Sequence, residues 1–154
     1  MKVNRTAYHW FADIFCVLLL VGVFLYLIMY WNAIADHVPG HYNADGVVDR
    51  WTNKKELFIL LAVAWVMYGG ITVVEQFPRL WNTGVTITKQ NAHRVYATLK
   101  NMIVTIKWQM VLAFCVITLY SSLGKGLPKW FLSVFLIAIF ATLIGFLVQL
   151  MRVK

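Results

Sequence analysis

The sequence predicts an all-α membrane protein: four transmembrane helices, N-in and C-in, with an outer hairpin loop between helices 1 and 2 and an amphipathic cytoplasmic helix before helix 3. Three observations lead there. Of 154 residues, 61% are hydrophobic and 13% charged, about half the charged share of a soluble domain, which is about 25%. Four apolar runs are long enough to cross a hydrocarbon core of about 30 Å at about 1.5 Å per residue. Basic residues also crowd the segments on one side of these runs. In a soluble chain a net charge of +8 would suggest nucleic acid. Beside hydrophobic spans it marks loops held in the cytoplasm, so the expected partner is the lipid bilayer and no nucleic acid.

The first span is expected over about 11–31. Its stretch from Ile14 to Trp31 is unbroken and apolar, longer than the roughly 7–15 residues of a signal-peptide core. Despite the Ala-x-Ala pattern at Ala33-Ile34-Ala35, it is therefore read as a retained helix. Tyr26, Tyr30 and Trp31 suit an interfacial aromatic belt. His9 and Asp13 are one helical turn apart and are expected to pair at headgroup level. Adding Cys16 makes a conceivable metal or proton site, but the headgroup reading is simpler.

The second span is expected over about 57–74, with Gly69-Gly70 letting a neighbouring helix approach closely and Pro78 opposing continuation. A cytoplasmic loop follows over 75–102. Val85-Thr-Ile-Thr88 is β-prone, and Thr88 is a candidate N-cap. Beyond it Val95, Leu99, Met102, Ile103 and Ile106 have the spacing of an amphipathic helix. His93, Lys100 and Lys107 recur on its other face, which is read as a solvated or headgroup-facing stripe, with Lys107 snorkelling.

The third span is expected over about 103–122 and the fourth over 130–151, where Ala141-x-x-x-Gly145 offers a small-residue packing face. No span carries a charge at its centre, so the usual marker of an ion pathway is missing. Counting basic residues by side gives nine (Lys2, Arg5, Arg79, Lys89, Arg94, Lys100, Lys107, Arg152, Lys154) against five (Arg50, Lys54, Lys55, Lys125, Lys129), which favours both termini inside. Cys16 and Cys115 lie in apolar runs without Cys-x-x-Cys spacing and read as small hydrophobes. The whole of 1–154 is read as one domain.

Chemistry concentrates in the outer loop, 32–56. From Asp36 to Glu56 it holds two histidines, four carboxylates, Trp51 and a Pro39-Gly40 turn. Asp45-Gly46 between His41-Tyr42-Asn43 and Val47-Val48 predicts a hairpin with a tight primed turn, Pro39 and Gly46 being its structural turn residues. Folding back is expected to bring His41 and Asn43 near Asp49 and Trp51. Three readings compete. Asn43 and Asp49 hold the loop backbone while Trp51 anchors it at the interface; or His41, Asn43, Asp49, Trp51 and Lys54 bind a ligand or partner; or His37, His41 and Asp49 supply zinc ligands. The Pro39-Gly40 break between the histidines removes the helix on which His-x-x-x-His spacing works. No catalytic residue, metal or cofactor is therefore expected.

The pattern Asp36-x-Val-Pro-x-His41-Tyr-Asn43-x-x-Gly46-x-x-Asp49-x-Trp51-x-x-Lys54 resembles the signature of a bacterial membrane domain of unknown function, which also forms the N-terminal part of SdpI-type immunity proteins. Ile87-Thr88, Asn91-Ala92, Arg94, Tyr96 and Trp108 are similar to the linking segment of short members. Those members commonly carry acids where this chain has Lys89-Gln90, which removes a favourable charge from a helix N-terminus. The resemblance implies a multi-pass protein of the bacterial cytoplasmic membrane without established catalysis. For SdpI-type proteins it implies protection against a secreted toxic peptide and signalling that draws a repressor to the membrane. Those proteins have a further C-terminal membrane half, which 154 residues do not accommodate, so the outer loop is the part that carries over. The expected function is recognition of an extracytoplasmic peptide, an envelope component or a partner protein. The alternative is an accessory subunit of a larger membrane complex, as a homo- or hetero-oligomer, and the third class is a metal-dependent membrane enzyme.

Overall fold

A computed structural model describes residues 3–153; Lys2 and Lys154, both counted in the charge balance, lie outside them. Four helices are long and apolar enough to cross a membrane: α1 (Ala7–Met29), α2 (Glu56–Val74), α3 (Ala92–Ser122) and α4 (Phe131–Arg152). They are the helices of a multi-pass membrane protein. Strands β1 (His37–Tyr42) and β2 (Val48–Asn53) form an antiparallel hairpin between α1 and α2.

The bundle is organised around α3, which packs against α1, α2 and α4. On α1 the buried residues Cys16, Leu20, Val23 and Leu27 recur at four, three and four residues, a narrow seam along one face. Leu57, Leu61 and Ala64 repeat the pattern on α2, and Val104, Lys107, Val111, Cys115 and Thr118 on α3. The remaining faces of α1 and α2 carry exposed Leu, Ile, Val and Phe, the composition hydrocarbon requires. On α4 only Leu150 is buried.

Several expectations are corrected. The amphipathic segment and the third span are one 31-residue helix, α3, because no breaker interrupts Ala92 to Ser122. Thr88 makes the reciprocal bonds of a capping box where it begins: Thr88 Oγ1 accepts from the Asn91 amide, Asn91 Oδ1 from the Thr88 amide, and the Ala92 amide donates to Thr88 O at 3.0 Å. Val85–Thr88 forms no strand, since nothing beside it offers an edge to pair with. The small-residue positions do not mediate packing within the chain: a Cβ at Gly69, Gly70 or Gly145 would meet nothing within 4 Å.

The charged stripe is inverted at two of its three positions. Lys100 and Lys107 are 5% and 0% exposed, because Lys100 is covered by the segment before α1 and Lys107 by α1 and α2, while His93 stays exposed. His9 does not pair with Asp13. Its Nδ1 accepts from the Thr6 amide and its Nε2 bonds Asn101 Oδ1 at 2.8 Å.

Candidate functional site

The hairpin is shaped by its turn. Asn43 N–H donates to Val47 O and Gly46 N–H to Asn43 O, both at 2.9 Å. Asn43 Oδ1 also accepts from the Asp45 and Val47 amides. Of the turn residues only Gly46 has positive φ, at 77°. The two-residue primed turn expected from Asp45-Gly46 is therefore replaced by a longer loop that ends on a left-handed glycine. That geometry spares Asp45 an unfavourable φ. Asn43 thus holds the turn.

The hairpin is fastened to the helix ends beneath it. Val38 is 1% exposed and packs in the same cluster as Leu57 and Leu61. Ser121, near the end of α3, donates to Pro39 O. Tyr42 donates to Lys125 O at 3.1 Å, and Leu127 N–H to Gly46 O at 2.8 Å. At Gly46 a Cβ would stand 2.4 Å from Leu127 O, and at Gly40 one would stand 2.7 Å from Thr52. Burial pushes the Tyr42 phenol up to about 12.

Lys54 is the anchor on the other side. Its ammonium donates to Trp31 O and Ile34 O, pairs with Asp36 at 3.0 Å and lies 5.0 Å from the Trp31 ring centroid. The bond and charge of Lys54 hold the Asp36 carboxyl below its ordinary range.

Of the expected site residues, the fold brings His41 and Asp49 together. Their Nδ1 and Oδ1 atoms are 2.7 Å apart, with side chains 62% and 45% exposed. The ring N–H at Nδ1 donates to the carboxylate, so the pair links β1 to β2 at the surface. Trp51, opposite Pro39 in the strand register, is 55% exposed. His37 stands opposite Asn53 at the far end of the strands. Among the described residues no three His, Cys, Asp or Glu side chains gather as a metal site would require, so His37, His41 and Asp49 do not form one. Beside β1 lies a cleft of about 250 Å³, with Pro39, His41 and Tyr42 on one wall and Leu60, Ile117 and Phe131 on the other.

A second cluster, missed in the sequence, lies near the opposite end of the bundle. The Lys107 ammonium is 2.5 Å from both Asp13 Oδ1 and Glu75 Oε2 and 3.3 Å from Thr72 Oγ1. Arg5 takes the other oxygen of Asp13, and Lys100 Nζ donates to Val3 O. The cluster ties α1, α2 and α3 together with two cations for two carboxylates. Charges at Asp13, Glu75 and Lys107 were each legible, but their meeting joins positions 94 and 32 residues apart, which helical periodicity cannot reveal.

Residues 18–65 match the model of a family described as a domain of unknown function, DUF1648. That stretch runs from within α1 through the hairpin into α2. No curated protein and no solved structure matches the chain.

Proposed function

We propose that the hairpin is a recognition surface on the outer face of the bacterial cytoplasmic membrane, with the helix bundle as its mount. Its ligand is an extracytoplasmic peptide, an envelope component or a membrane protein partner, as the resemblance to SdpI-type immunity proteins implies. One observation carries this reading. The inner side of the hairpin is consumed by docking, through Val38, Pro39, Tyr42, Gly46 and Lys54, whereas His41, Asp49 and Trp51 have no such duty and remain exposed. A fixed backbone carrying an oriented imidazole, a carboxylate and an indole is preorganised for binding. The basic asymmetry, seven to five once the buried Lys100 and Lys107 are set aside, supports the outward placement.

The test is protection of expressing cells against a panel of membrane-active peptides. His41→Ala, Asp49→Ala and Trp51→Ala should each abolish protection at unchanged membrane abundance, while Ile137→Ala on α4 should keep it. Full protection by all three hairpin variants would remove the hairpin as the site.

A second reading, an accessory subunit, is favoured by the open small-residue faces at Gly69, Gly70 and Gly145, which invite a helix from another chain. A stoichiometric companion after mild-detergent purification would support it, and a lone monomer would count against it.

A further inference from the structure

The chain enters α1 through a capping box in which His9 takes the place of the usual Glu or Gln. The Thr6 amide donates to His9 Nδ1 at 3.0 Å. A backbone N–H can only donate, so Nδ1 carries no proton. The ring proton therefore sits on Nε2, which donates to Asn101 Oδ1 on α3 at 2.8 Å. His9 is 1% exposed, and both ring nitrogens are engaged. A second proton has one place to go, Nδ1, where it sets N–H against N–H. Turning the ring over brings a carbon to Thr6 and loses the same bond.

The surroundings offer no anion for the added charge. Arg5 lies before α1, Lys100 and Lys107 on α3, and only Asp13 and Glu75 oppose these three cations. Both acids already serve Arg5 and Lys107. An imidazolium is a fourth cation against two carboxylates. The Tyr8 ring, 5.9 Å from the imidazole, brings no charge. Residues 3–6 are the segment that feels the change. Val3 O accepts from Lys100 and Arg5 grips Asp13, so this segment straps the start of α1 to α3.

We infer that His9 is an acid-released latch: protonation of its ring breaks the Thr6 cap and frees residues 3–6 from α3. While the ring is neutral the latch is closed, and it opens as falling pH protonates His9. On the orientation proposed above, the pH it reads is that of the cytoplasm. The inference does not depend on what the hairpin binds.

The experiment uses the full chain in lipid nanodiscs from about pH 8 to about pH 5, a range that brackets the ordinary histidine value of about 6.5. One readout is the exchange protection of the Thr6 amide, corrected for the intrinsic pH dependence of exchange. The other is the mobility of a nitroxide on a cysteine placed at exposed Asn4, both native cysteines being buried. Acidification should lower Thr6 protection about ten-fold, the worth of one well-made hydrogen bond. It should mobilise the Asn4 label over the same range, in step with protonation of His9 Nδ1 followed by ring nitrogen-15 shifts. His9→Gln supplies the usual capping-box partner and does not titrate, so both readouts should stay as they are at about pH 8. If His9→Gln does not fold, the coincidence of ring protonation with Thr6 release in the unaltered chain decides the matter. A ring still neutral at about pH 5 would overturn the inference, as would Thr6 protection unchanged while the ring is protonated. An equal loss in His9→Gln would move the titration to Asp13 or Glu75 and overturn it too. A label that stays immobile while Thr6 opens would reduce the latch to a frayed cap.

Discussion

One ammonium serves two carboxylates at Lys107, and all three groups are nearly free of solvent exposure. Taking one partner away from such a cluster leaves charge stranded in a low-dielectric surround, which costs about 3–5 kcal/mol. Lys107→Met should therefore lower stability by about that amount, measured as denaturant or thermal unfolding in detergent. Combining it with Glu75→Gln should recover most of the loss, because Asp13 keeps Arg5 and a neutral amide replaces the acid left without a cation. A double variant no better than Lys107→Met would show that the cluster acts through shape rather than charge. Tyr42 gives a second test at this scale. Its folded pKa, raised to about 12 by burial, lies above the ordinary tyrosine value of about 10. The phenol's contribution is thus complete below about pH 10 and disappears as pH rises through about 12. Ultraviolet titration should show a late tyrosinate step that is missing in Tyr42→Phe; its persistence in that variant would refute the assignment.

The hairpin behaves as an element only because its turn meets the α3–α4 loop. Gly46 combines positive φ with a carbonyl 2.4 Å from any added Cβ. Gly46→Ala should accordingly cost at least about 1–2 kcal/mol from the backbone conformation alone and lift the turn from Leu127. Hydrogen exchange should then rise at the Leu127 amide, while the amides in the middle of α1 stay protected. Unchanged exchange at Leu127 would mean that the contact is not what holds the hairpin down. The sequence announced this element through Pro39, Asn43 and Asp45-Gly46, because turn chemistry is local. Its docking partners Ser121, Lys125 and Leu127 were not legible, since they lie about 80 residues away, at the end of α3 and in the turn that follows it.

Across the whole molecule, the apolar runs were legible because a bilayer imposes their length. All four reappear as helices with ends shifted by a few residues, except that α3 begins eleven residues before the expected span. The faces of those helices were harder to read. Lys100 and Lys107 were taken for a headgroup-facing stripe. In a membrane protein a charged face turns inward when acids such as Asp13 and Glu75 await it, and only the packing shows which. The orientation proposed from basic residues is directly testable because both native cysteines are buried. A cysteine placed at Asn53 should react in intact cells with a membrane-impermeant maleimide, and one at Lys89 only after lysis. The reverse pattern would turn the molecule over and put the hairpin in the cytoplasm.

Recognition by the hairpin is the claim on which the functional account stands, and a photo-crosslinking residue at position 51 reaches it most directly. In living cells, crosslinking from position 51 should give one discrete adduct beyond lipid. That adduct should disappear when His41→Ala is added and should be missing when the crosslinker replaces Ile137. Lipid-only adducts from both positions, or an adduct at 51 indifferent to His41→Ala, would contradict it.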